Sequence, residues 1–254
     1  MTAHAPANRV MIVTGGGRGI GAATARLAGA RGYAVCVNYR HDGGSAESVV
    51  RKIEAMGRPA MAFQADVAEE GEVERMFEEV DRRLGRVTAL VNNAGVLEPQ
   101  MRVEAMSAAR LNRVLAVNVT GAFLCAREAV RRMSTRHGGS GGAIVNVSSA
   151  AARLGSPGEY VDYAASKGAV DTLTIGLAKE VAAEGIRVNA VRPAFIYTDI
   201  HASGGEPGRV DRIAPTIPMR RGGTPEEVAE AVLWLLSDAA SYVTGSFIDL
   251  AGGV

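Results

Sequence analysis

The sequence predicts an α/β fold, a doubly wound parallel sheet, from three observations. Seven short apolar, β-branched runs recur along the chain, and most alternate with helical stretches. Most of these runs are largely apolar, the form of strands buried on both faces. The first run feeds a glycine-rich turn, a helix and a second run, a βαβ unit that crosses over right-handed. With 254 residues, no internal repeat and no linker long enough to divide the chain, one domain over 1–254 is expected.

Composition narrows the functional classes. Acids and bases nearly cancel, at a formal net charge of +1, so nothing argues electrostatically for nucleic acid or a membrane surface as partner. No apolar run reaches the ~18 residues of a transmembrane helix. Residues 1–8 (MTAHAPAN) lack the basic and apolar regions of a signal peptide and read as a flexible tail. Cys36 and Cys125 sit in apolar surroundings without metal-ligand spacing, and read as inert core residues of a reducing, cytoplasmic compartment. His4, His41, His137 and His201 are scattered and form no metal motif.

Arg9 to Thr14 (RVMIVT) is the first strand, and Gly15 to Gly21 (GGGRGIG) follows at once. Ala22 to Arg31 reads as a helix of mostly strong formers, ended by Gly32, and Tyr33 to Tyr39 as the second buried strand. Between strand and helix, glycines let a backbone approach a pyrophosphate, and the free N–H groups and dipole of the helix favour the anion. The spacing of Gly15, Gly19 and Gly21 is G-x3-G-x-G, where G-x-G-x-x-G is usual. The bland alternative is a tight turn without a ligand. An acid at the end of the second strand would bind the ribose 2′-OH of NAD. Here Asn38-Tyr39-Arg40-His41 contains none before Asp42, and Arg18 lies in the glycine loop. Two arginines and no carboxylate favour NADP(H), with NAD(H) or dual use as the alternative.

Ser45 to Met56 is the second helix and Pro59 to Ala65 the third strand. Asp66, followed by Val67, either accepts a hydrogen bond from adenine or caps the next helix. Glu69 to Leu84 is amphipathic, with Val73, Met76, Phe77, Val80 and Leu84 on one face. Val87 to Val91 delivers Asn92-Asn93-Ala94-Gly95 to a carboxyl strand end, where ligands bind in open α/β sheets. Small residues there admit a cofactor, although NNAG also fits a plain turn. Ser107 to about Arg136 is a long helical region with Asn118 in its middle. Asparagine is a poor helix former, so its amide calls for a bound water, a local kink or exposure.

After the flexible 137–142 segment (HGGSGG), Ala143 to Val147 is the fifth strand and ends in Ser148 and Ser149. Val161 to Glu184 is a helix, Ile186 to Val191 a strand, and Arg192 to Thr198 follows at its end. Residues 199–223 keep no period and read as a substrate-side lid, or else as a surface loop. Thr224 caps a helix that has Pro225 at its first position and runs to about Ser237, and Ser246 to Leu250 is the seventh strand.

Tyr163 and Lys167 stand four apart, one turn from each other on one helix face. An ammonium beside a phenol lowers the phenol's pKa from its usual ~10. A tyrosine tuned this way gives a proton to a carbonyl oxygen or takes one from an alcohol. Tyr-x-x-x-Lys also arises by chance on helices. Its weight here comes from Ser148 and Ser149, which reach the same sheet edge as the glycine loop and NNAG.

Taken together, Thr14-Gly15-x3-Gly19-x-Gly21, Asn92-Asn93-Ala94-Gly95, Asn118, Ser149 and Tyr163-x3-Lys167 resemble the short-chain dehydrogenase/reductase family, over essentially the whole chain. Within it the sequence is similar to 3-oxoacyl-carrier-protein reductases and glucose 1-dehydrogenase-like members. The resemblance implies a three-layer Rossmann-type sheet of seven parallel strands, usually in a homotetramer. It implies hydride transfer between NADP(H) or NAD(H) and a small carbonyl or alcohol. Tyr163 would be the general acid/base, and Ser149 would hydrogen-bond the substrate oxygen. Lys167 would lower the Tyr163 pKa and bind the nicotinamide ribose, and Asn118 would hold a relay water. Ile196 and Thr198 would meet the carboxamide, Asp66 and Val67 would flank adenine, and Asn93, Ala94 and Gly95 would line ribose. Gly15, Arg18, Gly19, Ile20, Gly21, Asn38, Tyr39 and Arg40 would complete the cofactor site.

Three departures stand out. Ser149 precedes Tyr163 by fourteen residues, where the family usually has thirteen; the thirteenth is Ala150, which has no hydroxyl. The extra residue is expected to bulge within 151–160. Pro193-Ala194 replaces a common Pro-Gly, so a turn needing positive φ would be strained. Tyr160 lies one turn before Tyr163 but has no lysine four residues on, and reads as pocket lining or packing. The rival function is a cofactor-binding regulatory protein that has lost catalysis; such relatives typically lose the tyrosine or the lysine, and both are present here.

Overall fold

The apolar runs form the strands of one sheet. In the computed structural model, which describes residues 9–254, these are β1 Val10–Val13, β2 Ala34–Tyr39, β3 Ala60–Gln64, β4 Ala89–Asn92, β5 Gly142–Val147, β6 Ile186–Pro193 and β7 Phe247–Leu250. All neighbours pair in parallel, in the order β3-β2-β1-β4-β5-β6-β7. The tail expected at 1–8 lies outside the described residues.

The longer helices are α1 Gly19–Ala30, α2 Gly43–Glu54, α3 Glu70–Arg83, α4 Ala108–Leu115, α5 Gly121–Met133, then a short α6 Ala151–Leu154, and α7 Val161–Val181. Two further short helices, α8 Ile200–Ser203 and α9 Arg209–Ile213, precede α10 Pro225–Leu236. Strand alternation divides the core between two faces. Met11, Val13, Val35, Val91 and Val145 pack beneath α1, α2 and α10 through Ala25, Val49, Ile53, Val228 and Val232. Ile12, Cys36, Leu90, Ile144 and Val188 pack beneath α3, α5 and α7 through Met76, Phe77, Val80, Ala129 and Val181. Each large side chain buried this way contributes about 1.5–3 kcal/mol. The result is a three-layer Rossmann-type sandwich. Its winding reverses between β1 and β4, and there the carboxyl ends leave a crevice.

Several elements differ from the sequence reading. α1 begins at Gly19, inside the glycine loop, and not at Ala22. Glycine's weak helix propensity is overridden because only a residue without Cβ fits at Gly21. A Cβ there would fall 2.5 Å from Asn93 Nδ2 and closer still to the Gly15 carbonyl oxygen. The single helix expected over 107–136 is broken by a π-helical turn, Ala116–Thr120, which contains Asn118. Of the reasons offered for that asparagine, its burial removes exposure and the π turn supplies a local kink. β6 continues to Pro193, so Ala194 sits at a strand end, donates its N–H to Leu250 O and needs no positive φ. Thr224 and Glu227 form a reciprocal capping box at α10, as the sequence suggested for Thr224. Among the described residues no helix is long and apolar enough to cross a membrane.

Candidate active site

The crevice at the sheet switch point is lined by Gly15, Arg18, Gly19, Ile20, Asn93, Ala94, Gly95, Ser149, Tyr163, Lys167, Ile196 and Thr198. Twelve of the expected residues thus share one cleft. Gly21, Asn38, Tyr39, Arg40, Asp66, Val67 and Asn118 do not line it.

The floor is knitted by short polar side chains. The Thr14 hydroxyl accepts N–H bonds from Asn93 and Ala94, both at 3.0 Å. Asn93 Nδ2 donates back to the Thr14 and Gly15 carbonyls at 2.9 and 3.0 Å. Asn38 is buried: its Oδ1 accepts from Gly15 N at 3.1 Å and its Nδ2 donates to Ala65 O at 3.0 Å. Its side chain therefore shapes the glycine loop and presents nothing to a cofactor, a correction to the cofactor-binding role expected for it. No side chain caps the first turn of α1, so its N–H groups are left to the cleft. The fit to a pyrophosphate is good: uncapped amides, glycines that admit close approach, and the positive end of a twelve-residue helix.

The adenosine side is less as expected. Val67 is buried against Gly121 of α5, so its side chain belongs to the core and not beside adenine. Asp66 does not cap α3, whose N-cap is Glu69. Its carboxylate accepts from Ala68 N at 3.0 Å and pairs with Arg40 Nε at 2.9 Å. Arg40 is therefore partly neutralised, though half its side chain stays exposed. Tyr39 packs on Gly43. Arg18 is exposed at the mouth of the cleft.

Asn118 is brought close without facing the cleft. Its Oδ1 accepts from Val96 N at 2.8 Å, and its Nδ2 donates to Val96 O at 3.1 Å and to Ser166 Oγ at 3.0 Å. The amide thus braces the loop after β4 against α7. Gly95 fits between them so tightly that a Cβ would lie 3.4 Å from Asn118 Oδ1 and 3.5 Å from Lys167 Nζ.

The reactive wall is built by β5 and α7. Ser148 is turned inward and donates to Lys167 O at 3.2 Å. The Ser149 hydroxyl donates to Pro193 O at 3.3 Å, accepts from Ala151 N at 3.1 Å and acts on the Tyr163 phenol. The segment between Ser149 and Tyr163 holds α6, then Gly155, Ser156 and Gly158 in left-handed conformations. Ser156, at φ 44°, is the strained residue and lines the cleft. The extra length is thus taken up by a helical turn and left-handed backbone.

Lys167 Nζ donates to Val147 O at 2.8 Å and lies 5.5 Å from the Tyr163 ring centre. Burial pulls its pKa from 10.5 down to about 8, against the Asp171 carboxylate, which raises it. Burial likewise pushes the Tyr163 phenol above its ordinary value, and the Ser149 hydroxyl only partly reverses that. Burial and the Ser149 hydroxyl are thus what set the phenol in this state, with Lys167 Nζ 5.5 Å from its ring centre.

Tyr160, read from the sequence as pocket lining or packing, and Arg209, which that reading did not single out, also line the cleft. Arg209, on α9, pairs with Glu159 and Glu206 and stands over the Tyr160 and Phe195 rings at 5.2 and 5.8 Å. Tyr160 donates to Gly204 O at 3.2 Å. The 199–223 segment is therefore folded and pinned to the residues ahead of Tyr163. Arg110 and Asp162, both buried, pair at 2.7 Å and hold the first turn of α7 to α4.

Sequence comparison matches residues 15–254 to a family model described as enoyl-(acyl carrier protein) reductase. The chain is 64% identical over 244 residues to the Escherichia coli (strain K12) protein named uncharacterized oxidoreductase YgfF, covering 96% of this chain and 99% of that one. It is 39% identical over 248 residues to a Synechocystis 3-oxoacyl-[acyl-carrier-protein] reductase, covering 97% and 96%. A solved dehydrogenase/reductase from Sinorhizobium meliloti 1021 superposes with a TM-score of 0.89 at 32% identity, covering 97% of this chain and 95% of that one.

Proposed function

Because this oxidoreductase chain belongs to the short-chain dehydrogenase/reductase family, whose members use NAD(P)(H), we propose that it interconverts a carbonyl and a secondary alcohol with Tyr163 as general acid/base. The observation that carries this reading is the meeting of the Tyr163 phenol, the Ser149 hydroxyl and Lys167 on one wall of the cleft whose floor is the uncapped start of α1. When bound, the nicotinamide supplies or takes the hydride. In the reducing direction the neutral Tyr163 phenol gives its proton to the substrate oxygen, while Ser149 donates a hydrogen bond to the same oxygen. Lys167, tethered by Val147 O, steadies the phenolate left behind.

NADP(H) is the favoured cofactor in this proposal. Arg18 is the freer cation for a 2′-phosphate, and Arg40 shares its charge with Asp66. The expected assembly is a homotetramer in the cytoplasm. The apolar side chains Leu111 and Leu115 on α4, Phe123 on α5 and Ile175 on α7 are exposed and suit a face between copies of this chain. The deciding experiment follows oxidation of NADPH and NADH against a panel of 3-oxoacyl thioesters, cyclic ketones and sugar-derived ketones. Tyr163→Phe is expected to lower kcat at least ~100-fold. Turnover that survives this change intact rules out the mechanism.

A further inference from the structure

Beyond Ser149 and Tyr163, the substrate end of the cleft has an apolar lining from Leu97, Leu154, Tyr160, Phe195 and Ile200. One cation stands among them. Arg209 lines the cleft and is more than nine-tenths buried. A guanidinium in such a wall suits a substrate carboxylate, which it grips through two parallel N–H bonds. Here the fork is already occupied from within the chain. Glu159 takes it with both carboxylate oxygens: Nη1 donates to Oε1 at 3.0 Å, and Nη2 donates to Oε2. Nη1 also donates to Glu206 Oε2 at 3.0 Å. Glu206 in turn accepts from Arg212, and from Gln100 Nε2 at 2.8 Å. Two guanidiniums and two carboxylates thus close into a neutral cluster. The other charged side chains of the cleft offer an anion nothing at this end. Arg18 stands at the cofactor mouth, Lys167 is tied to Val147 O, and Asp199, exposed where it lines the cleft, adds a carboxylate.

We propose that the substrate end of this cleft takes an uncharged carbonyl compound, and that Glu159 is the specificity-determining residue, because it occupies the guanidinium that would otherwise receive a carboxylate. This rests on the functional reading above for the reaction; the preference in binding stands on the cleft alone. A substrate carboxylate entering here has to displace Glu159 from a bidentate pair, and it leaves the displaced charge beside its own. An uncharged amide, ester or ketone packs against the apolar side chains and leaves the cluster intact. The carboxylate is delivered by a fixed backbone. Glu159 lies in the segment between Ser149 and Tyr163; its N–H donates to Ser156 O at 3.2 Å, and its carbonyl accepts from Met101 N at 2.9 Å. The next residue, Tyr160, donates its hydroxyl to Gly204 O at 3.2 Å. Little freedom is therefore lost when Glu159 engages Arg209, and an incoming anion competes against a preorganised partner.

The test uses two ketones alike in shape and different in charge, 4-oxocyclohexanecarboxamide and 4-oxocyclohexanecarboxylate, reduced by the full chain with NADPH. The parent should favour the amide in kcat/KM by ~10-fold or more. Glu159→Gln keeps the side chain's shape and frees the guanidinium. It should raise kcat/KM for the carboxylate by ~10-fold or more, chiefly through KM, and Arg209→Gln added to it should abolish the gain. A merely structural Glu159 would affect both ketones alike. An amide-to-carboxylate ratio unchanged in Glu159→Gln overturns the proposal, and so does a parent that prefers the carboxylate. Should Glu159→Gln fail to fold, the parent ratio decides: a value near one or in favour of the carboxylate overturns the proposal. Calorimetric binding of cyclohexanecarboxamide and cyclohexanecarboxylate, which have no ketone to reduce, follows the same preference in the NADP+-loaded protein. The expected order and its reversal in Glu159→Gln, in a protein that reduces no ketone, would leave this inference standing and remove the functional reading. Turnover of both ketones without preference would remove this inference and leave that reading.

Discussion

Replacing Lys167 by Met should change how stability depends on pH more than how stable the protein is at any one pH. Burial lowers the lysine's folded-state pKa from 10.5 to about 8. That difference corresponds to roughly 3 kcal/mol. The sign follows from proton counting. Between pH 8 and 10.5 the unfolded chain holds this proton and the folded one does not, so the lysine's contribution to stability rises with pH. It is fully present above 10.5 and lost as pH falls through 8. Methionine has no such contribution, but it leaves Val147 O without its Nζ donor, a pH-independent loss of about 1 kcal/mol. Below pH 8 Lys167→Met should therefore be as stable as the parent or more so. Toward pH 10.5 its advantage should shrink by roughly 3 kcal/mol and reverse. Urea unfolding of both proteins by circular dichroism, without cofactor and at one fixed concentration, measures the gap at each pH. Parallel curves across that range would show that Lys167 is not depressed by burial, and would refute the reasoning.

Gly21→Ala should weaken NADPH binding at least ~10-fold and destabilise the fold by about 1–3 kcal/mol, since its Cβ meets Asn93 Nδ2 at 2.5 Å; fluorescence titration and thermal unfolding check both. Asp162→Asn strands the buried Arg110 guanidinium and should cost about 3–5 kcal/mol in urea unfolding, with Arg110→Met/Asp162→Leu recovering much of it. Arg110 holds the Asp162 carboxyl below its ordinary pKa, so stability from this pair is present above the ordinary aspartate value and lost as pH falls through the lowered one. Because burial raises the Tyr163 phenol, carbonyl reduction should persist toward acid pH while alcohol oxidation climbs on the alkaline side. Initial rates in both directions from pH 6 to 10 measure this, and oxidation that peaks below pH 7 would contradict it.

Much of this site was legible because its parts are local. A glycine loop between a buried strand and a helix, or a tyrosine and lysine one turn apart, are patterns a linear sequence carries in full. The parts that escaped depend on partners far away in sequence. Arg110 and Asp162 are 52 residues apart and each reads as a solvated charge until α4 and α7 meet. Asn38 looked like a cofactor contact because it ends a strand, and only the β1–β2 register shows its amide turned onto Gly15. Asn118 was noticed for its poor helix propensity, yet its partners Val96 and Ser166 come from two other elements. Likewise the aperiodic 199–223 segment gave no sign of the Arg209 pairings that pin it ahead of Tyr163.

The same distinction bears on the reactive pair. Spacing alone assigns Lys167 the task of lowering the Tyr163 pKa, because a helix brings the two within one turn. The fold adds an effect that spacing cannot carry: Lys167 is buried and Tyr163 half-buried in the cleft wall, and burial drives each toward its neutral form. A neutral phenol is the proton donor that carbonyl reduction requires, so enclosure prepares the acid. It also lowers the pH at which the ammonium that steadies the phenolate is lost, to about 8. Lys167 Nζ is held by the Val147 carbonyl at 2.8 Å, while the Asp171 carboxylate one turn on pairs with Arg192 of the adjoining strand. The tuning of Tyr163 thus reaches beyond the Tyr-x-x-x-Lys pattern, into the burial that the fold imposes and the Ser149 hydroxyl that β5 delivers.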